Sequence, residues 1–569
     1  MPIINVPHHP STSISSPTNQ KYHTMAKFRL LDLVKPFQHG LPEIENPVSK
    51  AHLSFDDRML YSIGIAIFFV FSQLPIYSVT SVNSDPFYQF RPLFAAERGT
   101  LDEFGLLPII TAGFFWQFLS GFRLINVNFN VKSDRGYFQS LQKLTAIFLG
   151  GVYAFALVFL TDYYNPTSKF AGAIDYNISS TTADAVVNVS SNIGEKFLIW
   201  FQLFVYNFLL TMIVEILDKD YGFTSGSLFL IGANVSVTFM TGVIDFTTIK
   251  TGKGYEYRGV FIQLFIIVKN AFGSLFSSSS KSNFFYEIVH LFNRSSLVNL
   301  KQVLFGVIAA TLLFYLQAFH QAVPIKSKQI KTQAQSYPVK LFFNGALPII
   351  FAYSVLFNLK IFSYVSYKFL NFTTLGSSLI AIVIAQFESS SSLVQSIIKL
   401  IVGEFSSDSF NPTFSKAYQT SGIASYFQAP TSFTGAILNP INTVVYSASL
   451  AGLIMFFALS WTKMSGSSGK DVADFFSKQN ITILGKRDAN VAHYFNKIIN
   501  NACISGGLIL AALAVIFDFL GCQGLPTALV VSILIIFNFL ESFFTELQQS
   551  GGSSLYNTAF GGQDKLFGQ

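Results

Sequence analysis

The residues of this chain that could do chemistry are few and scattered. The histidines (His8, His9, His23, His39, His52, His290, His320 and His493) include no pair set beside a carboxylate at metal-ligand spacing within an apolar run. Cys503 and Cys522 lie in or beside the last apolar segments, where thiols act as small buried hydrophobes rather than as a disulfide framework. No glycine loop of the phosphate-cradling or dinucleotide type is present. No catalytic residue, metal site or cofactor is therefore expected, and the polar chemistry reduces to charge and hydrogen bonding at a few places. The most informative is Ser84 to Gln117, SDPFYQFRPLFAAERGTLDEFGLLPIITAGFFWQ. A half-polar, partly helical stretch with Asp85, Arg91, Glu97 and Arg98 interrupts the apolar pattern and re-enters it through Gly105 to Thr111. Irregular backbone at membrane depth is tolerated only where protein or a water-filled cavity covers it. The segment reads as the stopper of a pore.

The elements that must position these groups are membrane spans. The chain is 51% hydrophobic and 12% charged, with 64 phenylalanines and a mean hydropathy of +0.45. A soluble protein would carry roughly a quarter charged residues. Apolar runs approaching the roughly twenty residues that cross a bilayer fall at about 58–79, 101–122, 141–161, 196–217, 225–246, 300–320, 345–367, 441–462, 502–520 and 526–545. Ten spans put both termini on one side, together with the connections 123–143, 321–344 and 463–500. Those connections carry Arg123, Lys132, Arg135 and Lys143; Lys326, Lys328, Lys331 and Lys340; and Lys463, Lys470, Lys478, Lys486, Arg487 and Lys497. Positive residues near span ends mark the cytosolic face, so both termini are predicted cytosolic. The connection 247–299 on the other face is also basic, but long connections follow this rule poorly. Asn177-Ile-Ser and Asn188-Val-Ser in 162–195 would then be lumenal glycosylation acceptors, whereas Asn480-Ile-Thr would be cytosolic and unmodified.

Residues 1–24, rich in Ser, Pro and His, lack a signal-peptide core and read as a disordered extension or as sequence upstream of a start at Met25. Residues 25–57 comprise an interfacial amphipathic helix and linker, with Leu30, Leu33, Val34 and Phe37 on one face of MAKFRLLDLVKPF. The first five spans occupy 58–246, with the stopper at about 83–98, and 247–299 is a lumenal connection. The last five spans occupy 300–545, and 546–569 is a cytosolic tail.

In order and spacing, a series of motifs resembles the pore subunit of the Sec protein-conducting channel, the SecY family. They are FRLLDLVKPF (28–37), SDPFYQFRPLFAAERGTL (84–101), LLPIIT (106–111), SDRGYFQSLQK (133–143), DKDYGFTSG (218–226), YLQAFHQAVPIKSK (315–328), YPVKLFF (337–343), SGSSGKDVADFFSKQNITILGKR (465–487) and ELQQSGG (546–552). The resemblance covers about 28–552. VNFNVKSDRGYFQSL and ELQQSGGSSLYN look more like the alternative endoplasmic-reticulum translocon pore of budding yeasts than the principal one.

The resemblance implies an all-α membrane fold of two pseudo-symmetric five-helix halves around a pore, hinged by 247–299. The plug would carry Asp85, Arg91, Glu97 and Arg98 in a water-filled funnel. Position by position, the pore ring would be Leu106, Ile110, Ser227, Ile231, Ile350 and Val531, with Ser227 departing from the usual aliphatic choice. A narrow apolar ring dewets and so excludes ions. The lateral gate, between spans 2–3 and 7–8, would use Thr111, Tyr153 and Asn358, Tyr153 standing where a smaller polar residue is usual. Lys326, Lys328, Lys331, Lys486 and Arg487 would receive the ribosome, although Lys331 and Thr332 replace a usual Arg-Gly. Implied partners are a SecE-like γ subunit, a small β subunit, the translating ribosome, nascent polypeptides and membrane lipids. The implied place is the endoplasmic reticulum membrane, and the implied activity is passive conduction of polypeptides, without enzymatic chemistry. A secondary transporter for a small solute is the competing class. It would place ionisable groups at the bilayer midplane, and the spans offer few.

Overall fold

The computed structural model describes residues 34–38, 40–44, 54–82, 84–125, 127, 131–161, 163–166, 193–251, 254–276, 284–294, 297–327, 334–374, 400–407, 416–483 and 488–549. Within them, each of the ten apolar runs coincides with a helix. These are α1 (Phe55–Ser72), α2 (Leu107–Gly121), α3 (Lys132–Phe159), α4 (Ile193–Ile216), α5 (Gly226–Val243), α6 (Leu300–Gln317), α7 (Leu347–Thr374), α8 (Pro440–Met464), α9 (Asp488–Phe519) and α10 (Leu525–Gln549). Eight of them are long and apolar enough to cross a membrane. The other two are α1, with Asp56, Asp57 and Arg58 in its first turns, and α2, with 15 residues. The chain is a multi-pass, all-α membrane protein.

Local chemistry sets where these helices begin. Ser54 accepts from the Asp57 amide at 3.2 Å and Asp57 answers the Ser54 amide, closing a capping box ahead of α1. At the start of α6, the Asn299 amide donates to Gln302 Oε1 at 3.0 Å. Pro108 occupies the first turn of α2, where its missing N–H costs nothing. Between α4 and α5, Asp218 accepts from the Gly226 amide at 2.8 Å, holding the tight turn.

Helix packing divides the bundle. Within the first half α2 packs on α3 and α3 on α4; within the second, α7 packs on α8, α8 on α9 and α6 on α10. The halves meet along two seams, α2 against α7 and α8, and α5 against α10. Small residues permit the close approaches: a Cβ on Gly150 would strike the Asn207 amide at 2.1 Å, and one on Gly306 would strike Leu529 at 2.6 Å.

The connections carry structure of their own. The strand β1 (Val79–Val82), ahead of the stopper, pairs antiparallel with β2 (Tyr164–Pro166), after α3. The connection between α5 and α6 holds a hairpin, β3 (Thr248–Thr251) and β4 (Gly254–Tyr257), and two helices, Val260–Phe276 and Phe284–Phe292, where the sequence predicts only a loop. The strands β5 (His320–Ser327) and β6 (Ala334–Lys340) form a hairpin between α6 and α7. Further on, β7 (Phe405–Ser407) pairs with β8 (Ala417–Gln419). From the α8–α9 connection, β9 (Ile481–Ile483) joins β5 with Lys326 opposite Thr482, giving the order β6-β5-β9.

Candidate functional site

The stopper is a turn-rich coil with one helical turn, Arg91–Phe94, wedged between α5, α7 and α10. Its apolar side faces Phe357 on α7: Phe90 stacks on that ring at 5.0 Å between centroids, with Phe87 and Phe94 each at 5.5 Å. Its polar side is tied by Tyr88 to Gln523 at 2.5 Å and by Gln89 to Tyr446 at 3.5 Å. Tyr446 and Tyr353 in turn donate to Asp518 Oδ2 at 2.6 and 3.2 Å. Gly105, at φ +55°, lets the chain leave the stopper for α2, and a Cβ there would meet the Phe94 carbonyl at 2.1 Å.

Two of the four stopper charges are not solvated in a funnel, contrary to expectation. Asp85 and Arg91 are buried, and Arg91 is the centre of a network. Its Nε and Nη2 reach Asp85 at 2.6 and 2.9 Å, and Nη2 also reaches Glu103 at 2.5 Å and the Tyr163 hydroxyl at 2.8 Å. A buried guanidinium is tolerable only when its donors are met by charge and hydrogen bonds. Glu97 is exposed and Arg98 half-buried, at the other end of the segment. The neighbouring Asp102 carboxyl is buried without a hydrogen-bond partner for either oxygen among the described residues.

Leu106, Ile110, Ile231, Ile350 and Val531, expected in the ring, are all buried, in one apolar cluster with Phe87, Phe90, Leu93 and Phe94 of the stopper. Ser227 is half-buried, with its hydroxyl 3.5 Å from that of Ser225 near the start of α5.

Along the front seam the structure brings together Thr111 of α2, Tyr153 of α3 and Asn358 of α7. The Tyr153 hydroxyl donates to Asn358 Oδ1, and Asn358 Nδ2 donates to Thr111 Oγ1 at 3.0 Å and to the Ser354 carbonyl at 2.8 Å. Ser354, absent from the sequence reading, closes the group with its hydroxyl 3.1 Å from Thr111. It stands four residues before Asn358, hence on the same helix face, and that spacing was the available signal. Glu103 and Tyr163 also escaped notice. Glu103 was counted within the second apolar run, and Tyr163 lies beyond α3 in sequence.

On the face bearing the α6–α7 and α8–α9 connections, the β6-β5-β9 sheet covers a second apolar cluster that includes Val323, Ile325, Val339, Phe476, Ile483 and Phe495. Lys326 is half-buried in β5. Lys328, Lys331, Lys486 and Arg487 lie outside the described residues. No group of three or more His, Cys, Asp or Glu able to hold a metal occurs among the described residues.

Known proteins share this arrangement. A family model described as SecY matches residues 100–541, and one described as the plug domain of Sec61p matches residues 67–99. The chain is 32% identical over 544 residues to the Sec sixty-one protein homolog of Saccharomyces cerevisiae, covering 94% of this chain and 99% of that protein. A yeast Ssh1 complex, idle and bound to the yeast 80S ribosome, has a chain 30% identical with a TM-score of 0.64, covering 94% of this chain and 98% of the other. A solved protein-conducting channel, at 19% identity and a TM-score of 0.64 over 91% of this chain and 98% of its own, shares the fold. The stopper thus falls in the family's plug, and this chain belongs to the SecY family of protein-conducting channels.

Proposed function

We propose that this chain is the pore of a co-translational channel in the endoplasmic reticulum membrane. It passes secretory polypeptides through the ring and releases apolar segments into lipid between α2–α3 and α7–α8. The observation that carries this reading is the apolar plug seated on the ring beside a hydrogen-bonded seam. Polar groups across such a seam hold it shut in lipid and yield when an apolar segment intercalates. Leu106, Ile110, Ser227, Ile231, Ile350 and Val531 form the neck. Thr111, Tyr153, Asn358 and Ser354 form the gate latch. Both termini are cytosolic, and a SecE-like γ subunit and a small β subunit complete the complex.

The β6-β5-β9 sheet receives the ribosome, with Lys326, Lys328, Lys331, Lys486 and Arg487 facing phosphates through an attraction that salt weakens. The similarity to a ribosome-bound yeast complex supports this partner. The experiment has two arms. Stalled nascent chains should crosslink to a photoreactive group placed at Ile350. Ribosome co-sedimentation of the purified complex should fall for Lys486→Glu/Arg487→Glu, by more than for Lys331→Glu, and should weaken with salt. Absence of crosslinks at Ile350, together with uptake of small solutes by liposomes, would turn the reading toward a transporter.

A further inference from the structure

The hinge connection is a helical hairpin with two chemically opposite sides. Its base is polar: Arg294 reaches Glu256 at 3.2 Å and the Tyr257 carbonyl at 2.6 Å, and Arg258 faces Asp245 at 3.7 Å. Its inner face is apolar and covered, since Val260, Ile267 and Leu291 pack with Val243 of α5 and Val303 of α6. Phe239 of α5 packs on the same cluster. Val303 and Phe239 lie about one turn inside the ends of their helices, so the hairpin sits at the depth where those spans are already in the bilayer.

The outer face is apolar and uncovered. Phe261, Phe265 and Phe272 of the first helix and Phe285 and Val289 of the second are exposed, Phe265 at 69% and Phe285 at 81%. The adjoining spans expose apolar side chains as well, Met240 of α5, Ile244 just after it, and Leu304 and Ile308 of α6. The first helix has 17 residues, about 26 Å at about 1.5 Å per residue, short of the roughly 30 Å hydrocarbon core. The chain then returns to α6 on the side from which it left α5. The hairpin therefore cannot span, and an apolar face of this size in water would be costly.

We propose that Val260–Phe276 and Phe284–Phe292 lie in the bilayer leaflet opposite the β6-β5-β9 sheet, with Phe261, Phe265, Phe272, Phe285 and Val289 against acyl chains and the Arg294–Glu256 base in the headgroup layer. Phenylalanine on an otherwise amphipathic helix is the usual residue of such an interfacial element. The hinge between the halves is then a lipid-bathed part, not a loop in aqueous solution.

Site-directed spin labelling tests this on the complex purified with its partners and placed in phosphatidylcholine–phosphatidylethanolamine nanodiscs. Both native cysteines are buried, so an introduced one takes the label. A nitroxide at Phe265→Cys, and independently at Val289→Cys, should be open to dissolved oxygen and shielded from a water-soluble nickel chelate. Its oxygen-to-nickel accessibility ratio should be several-fold above that of Tyr255→Cys, which sits exposed on β4. Nickel accessibility equal to that of the β4 label at both positions would overturn the proposal by placing the face in water. Exclusion of both quenchers with an immobilised spectrum would also overturn it, by showing a protein partner on this face. The Val289 label keeps the test valid if the Phe265 variant fails to fold.

Discussion

Asn358→Ala is the most direct test of the front seam. It removes two contacts across the α2/α3–α7 boundary, Tyr153 to Asn358 and Asn358 to Thr111, while leaving Thr111 paired with Ser354. Interhelical hydrogen bonds in membranes average about 0.6 kcal/mol, so two are worth about 1.2 kcal/mol. That is roughly a sevenfold shift toward the open seam at about 1.4 kcal/mol per factor of ten. In a membrane-insertion assay with graded test segments, a central leucine contributes about −0.3 to −0.6 kcal/mol. The half-insertion point should therefore move by about two to four leucines toward less apolar segments. Tyr153→Phe should give about half the shift, and the double variant less than the sum, because the two residues share a bond. An unchanged insertion point in Asn358→Ala, with the complex assembled normally, would refute the claim that these bonds hold the seam.

Other perturbations address the plug, the neck, the sheet and the orientation. Arg91→Ala leaves Asp85 and Glu103 buried and unpaired, a loss of about 3–5 kcal/mol; planar-bilayer recordings should show a leaking channel, and wild-type conductance would remove the network from the seal. Polar replacement of Leu106, Ile110 and Ile350 together should wet the neck and raise ion conductance in the same recordings, with no change removing them from the ring. Phe495→Ala, in the cluster beneath the sheet, should cost about 3–5 kcal/mol locally; proteolysis of the α8–α9 connection should accelerate and ribosome co-sedimentation drop. Endoglycosidase mapping of single-acceptor variants should find any glycan on Asn177 or Asn188 and none on Asn480, and a glycan on Asn480 would reverse the orientation.

Much of the architecture could be read from apolar runs, because a bilayer allows few alternatives to a helix of about twenty residues. What those runs miss is helix that continues beyond the lipid. The second-half helix α9 begins at Asp488 rather than near 502, its early turns buried through Val491, Phe495, Ile498 and Ile499. Their i, i+4, i+7, i+8 spacing was legible, but the polar residues between them hid it from a hydropathy reading. Likewise α3 begins at Lys132 rather than 141, and the hinge helices were read as loop because the count of ten spans left them no place. The gate trio came from family resemblance, whereas Ser354 required coordinates. The Arg91 network joins residues 60 to 72 positions apart through Tyr163, and the β5–β9 pairing joins residues 156 apart. Nothing local in a sequence encodes partners at that distance.

The β6-β5-β9 sheet has a mechanical consequence. All three of its strands come from connections within 300–545, and Lys340 on β6 pairs with Glu541 of α10, in the same half. No strand of the sheet crosses either seam. A ribosome seated there would grip one jaw of a clamp and leave the other unheld. On the proposed docking, the held half would be the fixed frame and opening a swing of α1–α5 away from it. Docking would then supply an anchor rather than a wedge, and the force that parts the jaws would come from the polypeptide between them.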